Sequence, residues 1–166
     1  MTKNERLLLI NQYEILAVIK PDEADHYNQL IKILTEGYEI FYDTIDEWIY
    51  EGMKESESRF VLDILDLYRA IEDFKRNNQS EAIAAHHLSY FRGFDGNNEG
   101  TYLSFTRFLI EDQGKFTEQK QYFPKNDQLN SHMTMVDNYR RMLQAWSAAG
   151  RSFALSEEQI LAILEA

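Results

Sequence analysis

Residues 57–76, ESRFVLDILDLYRAIEDFKR, carry the most regular apolar pattern of the chain and predict its clearest helix. Apolar side chains recur there at alternating intervals of four and three, at Phe60, Ile64, Leu67, Ile71 and Phe74. Val61, Leu65 and Tyr68 widen the stripe beyond the narrow seam of a coiled coil. A helix of this kind lies in the middle of a bundle or across a subunit interface, so the pattern indicates a helical fold.

Helix start and stop signals recur on both sides of this segment. Thr2 with Glu5, and Ser156 with Gln159, have the spacing of capping boxes. The other predicted signals are helix ends at Pro21, Gly37 and Gly114, N-caps at Ser80 (for a short helix through Leu88) and Asp95 (for a helix to Gln113), and helices over 38–50 and 135–149.

Taken together, these signals predict an all-α fold. We expect a single-domain helical bundle of about six to eight helices over residues 1–166. Residues 115–131 are polar and contain Pro124, so they predict one long polar surface loop with an irregular turn. No repeat, linker or alternating strand pattern interrupts the helical signals.

Composition narrows the functional classes. The chain has 166 residues, 44% of them hydrophobic, and no cysteine, so a disulfide framework and a thiol nucleophile are excluded. A formal net charge of −11 argues against direct nucleic-acid binding, which requires clustered Lys and Arg. No stretch is apolar for long enough to span a membrane. We therefore expect a cytoplasmic, bacterial protein.

Much of the negative charge lies in residues 36–73. This segment has twelve acids against the three bases Lys54, Arg59 and Arg69, a local balance of −9. It is interpreted either as a solvated face that keeps the protein soluble or as an acidic docking surface for a basic protein partner.

Three motifs resemble metal sites incompletely. The run Asp95–Gly100 has the oxygen ligands of a calcium loop at positions 1, 3 and 5, but position 12 is Thr106 instead of glutamate. Glu23 and His26 form one ExxH pair, whereas a di-iron bundle needs two and further glutamates. His86 and His87 would point about 100° apart on a helix. We expect no metal, no cofactor and no catalytic residue, and the role of the histidine pair stays open.

Aromatic residues make up 13% of the chain and cluster in residues 90–108. They are interpreted either as pure core or as a core that continues into a self-association surface, because aromatic side chains bury much area at little entropic cost. The candidates for such an interface are Phe60, Leu67, Phe91, Phe94 and Tyr102.

A series of short motifs runs in order through the whole chain and resembles the YfbU family. They are Asn11-Gln12-Tyr13, Pro21, Glu36-Gly37-Tyr38, Asp63-Ile64, Tyr68, Phe91-x-Gly93-Phe94-Asp95, Glu99, Tyr102-Leu103, Arg107-Phe108, Gly114, Tyr139-x-Arg141-Met142-Leu143, Trp146 and Leu155-Ser156. The resemblance implies an all-helical domain and homo-oligomers, and it transfers no catalytic residue. It is weakest over residues 77–87, so it gives the histidine pair no support.

Two functional hypotheses follow. The first is a non-catalytic helical protein that self-associates and docks another protein. The alternative is an enzyme or small-ligand binder whose site gathers Arg92, Asp95, Glu99 and Arg107 near the glycine turn at Phe91–Glu99. Convergence of these four side chains in a deep cavity would favour the alternative.

Overall fold

A computed structural model describes residues 1–166 and confirms the all-α fold class. Contacts between residues group the chain into two units, Met1–Gly52 and Met53–Ala166. Because of this division, the single domain expected over residues 1–166 stays a prediction. Pairing of extended backbone is limited to one isolated bridge between Phe94 and Asn130.

The Met1–Gly52 unit is a helical hairpin followed by short turns. The helices are α1 (Lys3–Ile19), α2 (Ala24–Glu36) and α3 (Asp43–Asp46), with 3-10 turns at Pro21–Glu23 and Glu39–Phe41. Thr2 and Glu5 form the predicted capping box, and α2 ends at Gly37 with φ 74°. Helices α1 and α2 pack against each other. The only buried apolar side chains of the unit are Tyr27, Leu30 and Leu34.

The helix predicted over residues 38–50 is wrong. The chain forms the 3-10 turn and the four-residue α3 there, and Ile40, Trp48, Ile49 and Tyr50 are exposed. A helix of about 12 residues is marginal in water unless packing stabilises its apolar face. These side chains bury too little surface within the chain to supply that packing.

The Met53–Ala166 unit is built around α4 (Glu55–Asn77), as the apolar stripe predicts. The other helices are α5 (Glu81–Ala85), α6 (Gly100–Arg107), α7 (Val136–Ala148) and α8 (Glu157–Leu164). Helix α4 contacts both α6 and α7. Its fully buried side chains are Val61, Ile64, Leu65, Leu67, Tyr68, Ala70 and Ile71. This helix therefore supplies the centre of the core.

Residues 115–131 are more ordered and more buried than a polar surface loop. Helix α6 continues as a π-helix over Phe108–Asp112, and a 3-10 helix then spans Thr117–Lys125. Tyr122 and Leu129 are buried, and the side-chain amide of Gln119 is fully buried without a hydrogen-bond partner. Five non-glycine residues in or directly after this region have positive φ, namely Phe116, Asp127, Gln128, Leu129 and His132.

None of the helices combines the length and the apolar content that a bilayer-spanning segment requires.

The Gly93 backbone approaches that of Leu129 closely, which generates a first prediction. Gly93 has φ 85°, and a Cβ atom there would overlap the Leu129 carbonyl group. We expect Gly93→Ala to destabilise the protein by more than about 3 kcal/mol, because clash and left-handed strain add. The free energy of unfolding in urea, followed by circular dichroism, measures this loss.

Gly114→Ala is the matched control. Gly114 also has positive φ, 63°, but a Cβ atom there would have open space. Only the left-handed strain applies, so we expect a loss of about 1–2 kcal/mol. Equal losses for the two variants would contradict a steric role for the contact between Gly93 and Leu129.

Candidate functional site

The turn Phe91–Glu99 is fixed by its backbone and by two buried rings. The Phe94 N–H donates to the Leu129 carbonyl at 2.9 Å, and the Ser131 N–H donates to the Phe94 carbonyl at 3.1 Å. The Phe91 ring stacks on Tyr139 with centroids 5.6 Å apart, and the Tyr139 hydroxyl donates to the Gly93 carbonyl at 3.0 Å. The turn is therefore anchored to α7 and to residues 129–131.

Asp95 is not the N-cap that the sequence predicts. Helix α6 begins at Gly100 with Glu99 as its N-cap residue, because a turn over 96–98 comes first. The Asp95 carboxylate instead accepts from the Asn97 N–H at 3.1 Å and from the Asn98 side-chain amide. These two hydrogen bonds, that to Asn98 first, lower the pKa of Asp95. Asp95 therefore closes the turn.

The buried Glu99 carboxylate accepts from three backbone N–H groups in two segments of the chain. It accepts from the Met135 N–H at 2.8 and 3.0 Å, from the Val136 N–H at 2.8 Å and from the Asp95 N–H at 3.1 Å. Met135 and Val136 form the N-terminus of α7, where unpaired N–H groups and the helix dipole favour an anion. Glu99 therefore caps a helix distant in sequence.

The two arginines of the predicted site lie apart from this carboxylate pair. Arg107 donates to the Gln128 carbonyl from Nε at 3.0 Å and from Nη2 at 2.9 Å. Arg92 lines a separate cavity with Tyr90 and Lys125. The structure brings Asp95 and Glu99 together, but it does not gather all four side chains in one cavity.

The five predicted interface residues belong to the core of the Met53–Ala166 unit. Leu67, Phe91 and Phe94 have no exposed surface, whereas Phe60 and Tyr102 are partly buried against the same core. Burial by their own chain leaves the first three without surface for a partner. For Phe60 and Tyr102 an interface role stays a prediction.

The histidine pair follows α5 rather than lying on it. Helix α5 starts at the predicted N-cap Ser80 but ends at Ala85, with His86 in extended conformation at its C-cap. The rings of His86 and His87 therefore lie 4.7 Å apart, instead of diverging as they would on a helix. Both line the same cavity as Arg92.

Sequence reasoning missed a buried polar network behind this cavity. The Glu72 carboxylate accepts from Lys75 Nζ at 2.8 Å and from the Tyr122 hydroxyl at 2.8 Å, and Lys75 Nζ also donates to the Ser89 carbonyl at 3.1 Å. Burial, and then the hydrogen bond to Glu72, raise the pKa of Tyr122. The sole local signal was the pair Glu72 and Lys75, three residues apart on α4.

A second candidate site is the exposed apolar surface of α1. Although residues 7–19 are largely apolar and Glu14 is their only charged side chain, no residue of α1 is buried. Five aliphatic side chains are more than half exposed, and we call them the α1 apolar surface: Leu7, Leu8, Ile15, Val18 and Ile19.

Comparison with known proteins decides the family. The YfbU domain model matches residues 1–166, the full length of the chain. The chain belongs to the YfbU family. One relative is the UPF0304 protein MJECS11 of Methanocaldococcus jannaschii, 47% identical over 169 residues, which cover 100% of this chain and 99% of the relative. The resemblance stated from the sequence is thereby confirmed.

Several of the YfbU motifs quoted from the sequence meet at the turn. Gly93, Phe94 and Asp95 form it, Glu99 caps α7, and Tyr139 of α7 donates back to Gly93. No three His, Asp or Glu side chains lie close enough together to hold a metal ion. The arrangement at this turn holds backbone segments in place.

Replacing Asp95 by asparagine should produce a pH-dependent loss of stability. The folded-state pKa of Asp95 is lowered, so its carboxylate contributes stability above the unfolded pKa, about 3.9, that is lost as pH falls through the folded value. We expect Asp95→Asn to be less stable than wild type at pH 7, with the difference shrinking below about pH 4. Urea unfolding across this range measures it, and a pH-independent difference would contradict the assignment.

Removing the Glu99 carboxylate should cost more than removing another acid at the same helix end. We expect Glu99→Ala to lower the free energy of unfolding by about 2 kcal/mol, because buried N–H groups lose their acceptor. The control Asp137→Ala removes an exposed acid from the first turn of α7 and should change stability by less than about 0.5 kcal/mol. Urea unfolding distinguishes them, and similar losses would refute the capping role.

Proposed function

We propose that this YfbU protein is a non-catalytic, cytoplasmic helical module that self-associates. The α1 apolar surface of one copy packs on that of a second copy. The observation that carries the proposal is the exposure of this surface, since α1 is largely apolar yet has no buried residue. A helix that is apolar on most of its faces is normally buried, and large exposed apolar patches mark association sites.

The distribution of charge favours a second copy at this position. The whole chain has a net charge of −11, so most pairs of surface regions would bring like charges together. Residues 7–19 have Glu14 as their single charged side chain. Two copies of α1 can therefore meet with little repulsion, and a two-fold axis would use the same surface on both.

The amount of apolar surface also fits a dimer. Leu8 and Val18 are 66% and 81% exposed, and elsewhere in the same unit Trp48 and Tyr50 are 74% and 93% exposed. Each such aromatic side chain offers on the order of 150–250 Å². A stable interface buries roughly 800 Å² per partner, and the exposed apolar side chains of α1 with these two aromatic side chains provide surface of that order within the unit.

The internal hydrogen bonds of the residues predicted to form a site support a non-catalytic module. The side chains of Asp95, Glu99 and Arg107 are already hydrogen-bonded to groups of their own chain. A catalytic group must instead reach a substrate atom. Arg92, by contrast, lines a cavity.

Docking of a basic partner on residues 36–73 remains a prediction. The segment divides between the two units, with residues 36–52 in one and 53–73 in the other. In the second unit Asp63 already pairs with Arg151 at 2.6 Å, and Asp73 pairs with Arg76 at 3.1 Å. These pairs reduce the charge available to a partner.

The test is the molar mass in solution, measured by light scattering after size-exclusion chromatography. We expect the wild type to be dimeric at about 100 μM and Leu8→Glu/Val18→Glu to be monomeric, because a carboxylate buried in an apolar interface is strongly unfavourable. Both side chains are exposed in the single chain, so helicity and the melting temperature of the monomer should be unchanged.

Gln29→Glu is the matched control, since it adds negative charge at an exposed position of α2. It should remain dimeric. A wild type that is monomeric at about 100 μM, or a double variant that remains dimeric, would overturn the proposal.

A further inference from the structure

A basic cavity lies in the Met53–Ala166 unit, between the end of α5, residues 89–92 and the 3-10 helix Thr117–Lys125. Its volume is about 420 Å³. The side chains that define it are Lys75, His86, His87, Tyr90, Arg92 and Lys125, and Tyr122 contributes to its wall. We propose that this basic cavity binds a small phosphorylated molecule through its phosphate-monoester dianion.

The charge of the basic cavity is opposite to that of the chain. The protein has 28 acids against 17 Lys and Arg, but three of the 17 line this cavity and no acid does. The Glu72 carboxylate contacts two of the lining residues, Lys75 and Tyr122, and is engaged by both. Arg92 and Lys125 thus leave the cavity with two positive charges that no carboxylate offsets.

Arg92 and Lys125 have no ion-pair or hydrogen-bond partner in the chain, and aromatic rings hold them in place. The Arg92 guanidinium lies 5.2 Å from the centre of the Tyr90 ring, and Lys125 Nζ lies 5.8 Å from it. Tyr90 in turn stacks on Tyr122 with centroids 4.9 Å apart. Cation–π contacts orient the charged groups without consuming their hydrogen-bond donors.

His86 adds a neutral donor. Its Nδ1 accepts from the Leu88 N–H at 3.2 Å, which assigns the proton to Nε2. Burial, and then the neighbouring His87, lower the pKa of His86, so the ring is neutral at pH 7. An N–H group beside two cations suits an acceptor-rich anion.

The donor set favours phosphate over carboxylate. A guanidinium binds two phosphate oxygens at once, and a lysine ammonium adds a point charge. Two cations without partners match the two negative charges of a phosphate monoester near pH 7. The volume of about 420 Å³ also leaves room for an organic group beyond the phosphate. The cavity lies wholly within one unit, so this inference does not depend on the α1 apolar surface.

Calorimetric titration of the full chain with glycerol 3-phosphate, at fixed ionic strength and pH 7.5, tests the inference. Inorganic phosphate and succinate are titrated in parallel. We expect a dissociation constant for glycerol 3-phosphate below about 1 mM, and succinate at least tenfold weaker. Arg92→Gln should weaken binding of glycerol 3-phosphate by about tenfold or more, and Lys125→Gln by several-fold.

Lys120→Gln is the matched control because Lys120 is an exposed lysine of the same 3-10 helix that does not line the cavity. It should bind like wild type. Since Arg92 and Lys125 make no ion pair or hydrogen bond and would lose only cation–π contacts, melting temperatures should change little in all three variants. Absence of phosphate binding, equal binding of succinate, or an equal loss in Lys120→Gln would each overturn the inference.

Discussion

The contact between the Gly93 and Leu129 backbones is the constraint on which the larger unit depends. It leaves no room for a Cβ atom at Gly93, and it aligns Phe94 for its hydrogen bond to Leu129. With the turn held there, Phe91 and Phe94 enter the core, and Glu99 reaches the N-terminus of α7. Helices α6 and α7 can then both pack on α4. One close approach of two loops therefore organises the long helices.

Sequence patterns correctly predicted the helices and helix caps that depend on residues close together in the chain. The stripe on α4, the capping boxes at Thr2 and Ser156 and the N-cap at Ser80 are confirmed, because each depends on residues a few positions apart. The prediction that Asp95 is the N-cap of α6 is wrong. The sequence spacing does not reveal that Glu99 occupies this position, or that its carboxylate caps α7. The helix predicted over residues 38–50 is wrong because most of its apolar side chains are exposed, and a helical pattern without burial does not stabilise a helix.

Neither the basic cavity nor the α1 apolar surface could be predicted from the sequence, and the reasons differ. The basic cavity joins Lys75, the stretch from His86 to Arg92 and Lys125, and no spacing in the sequence places these segments together. The sequence shows that α1 is apolar but not that its apolar side chains are exposed. Sequence patterns do not distinguish a helix buried in the core from one that no other element packs against. Of the four residues predicted to form a site, Arg92 lines the basic cavity, whereas Asp95, Glu99 and Arg107 do not.

The unusual backbone of residues 116–132 has a consequence for how the protein fluctuates. Five non-glycine residues there have positive φ, each at a cost of roughly 1 kcal/mol, and Gln119 buries an amide without a partner. Local opening releases these costs, so it requires less free energy than unfolding of α4. Amide protons in this region should exchange with solvent through sub-global openings. Amide protons of α4 should exchange only when the whole unit unfolds. Tyr122 and Lys125 belong to the stretch 116–132, so a molecule bound in the basic cavity would raise the protection of its amides.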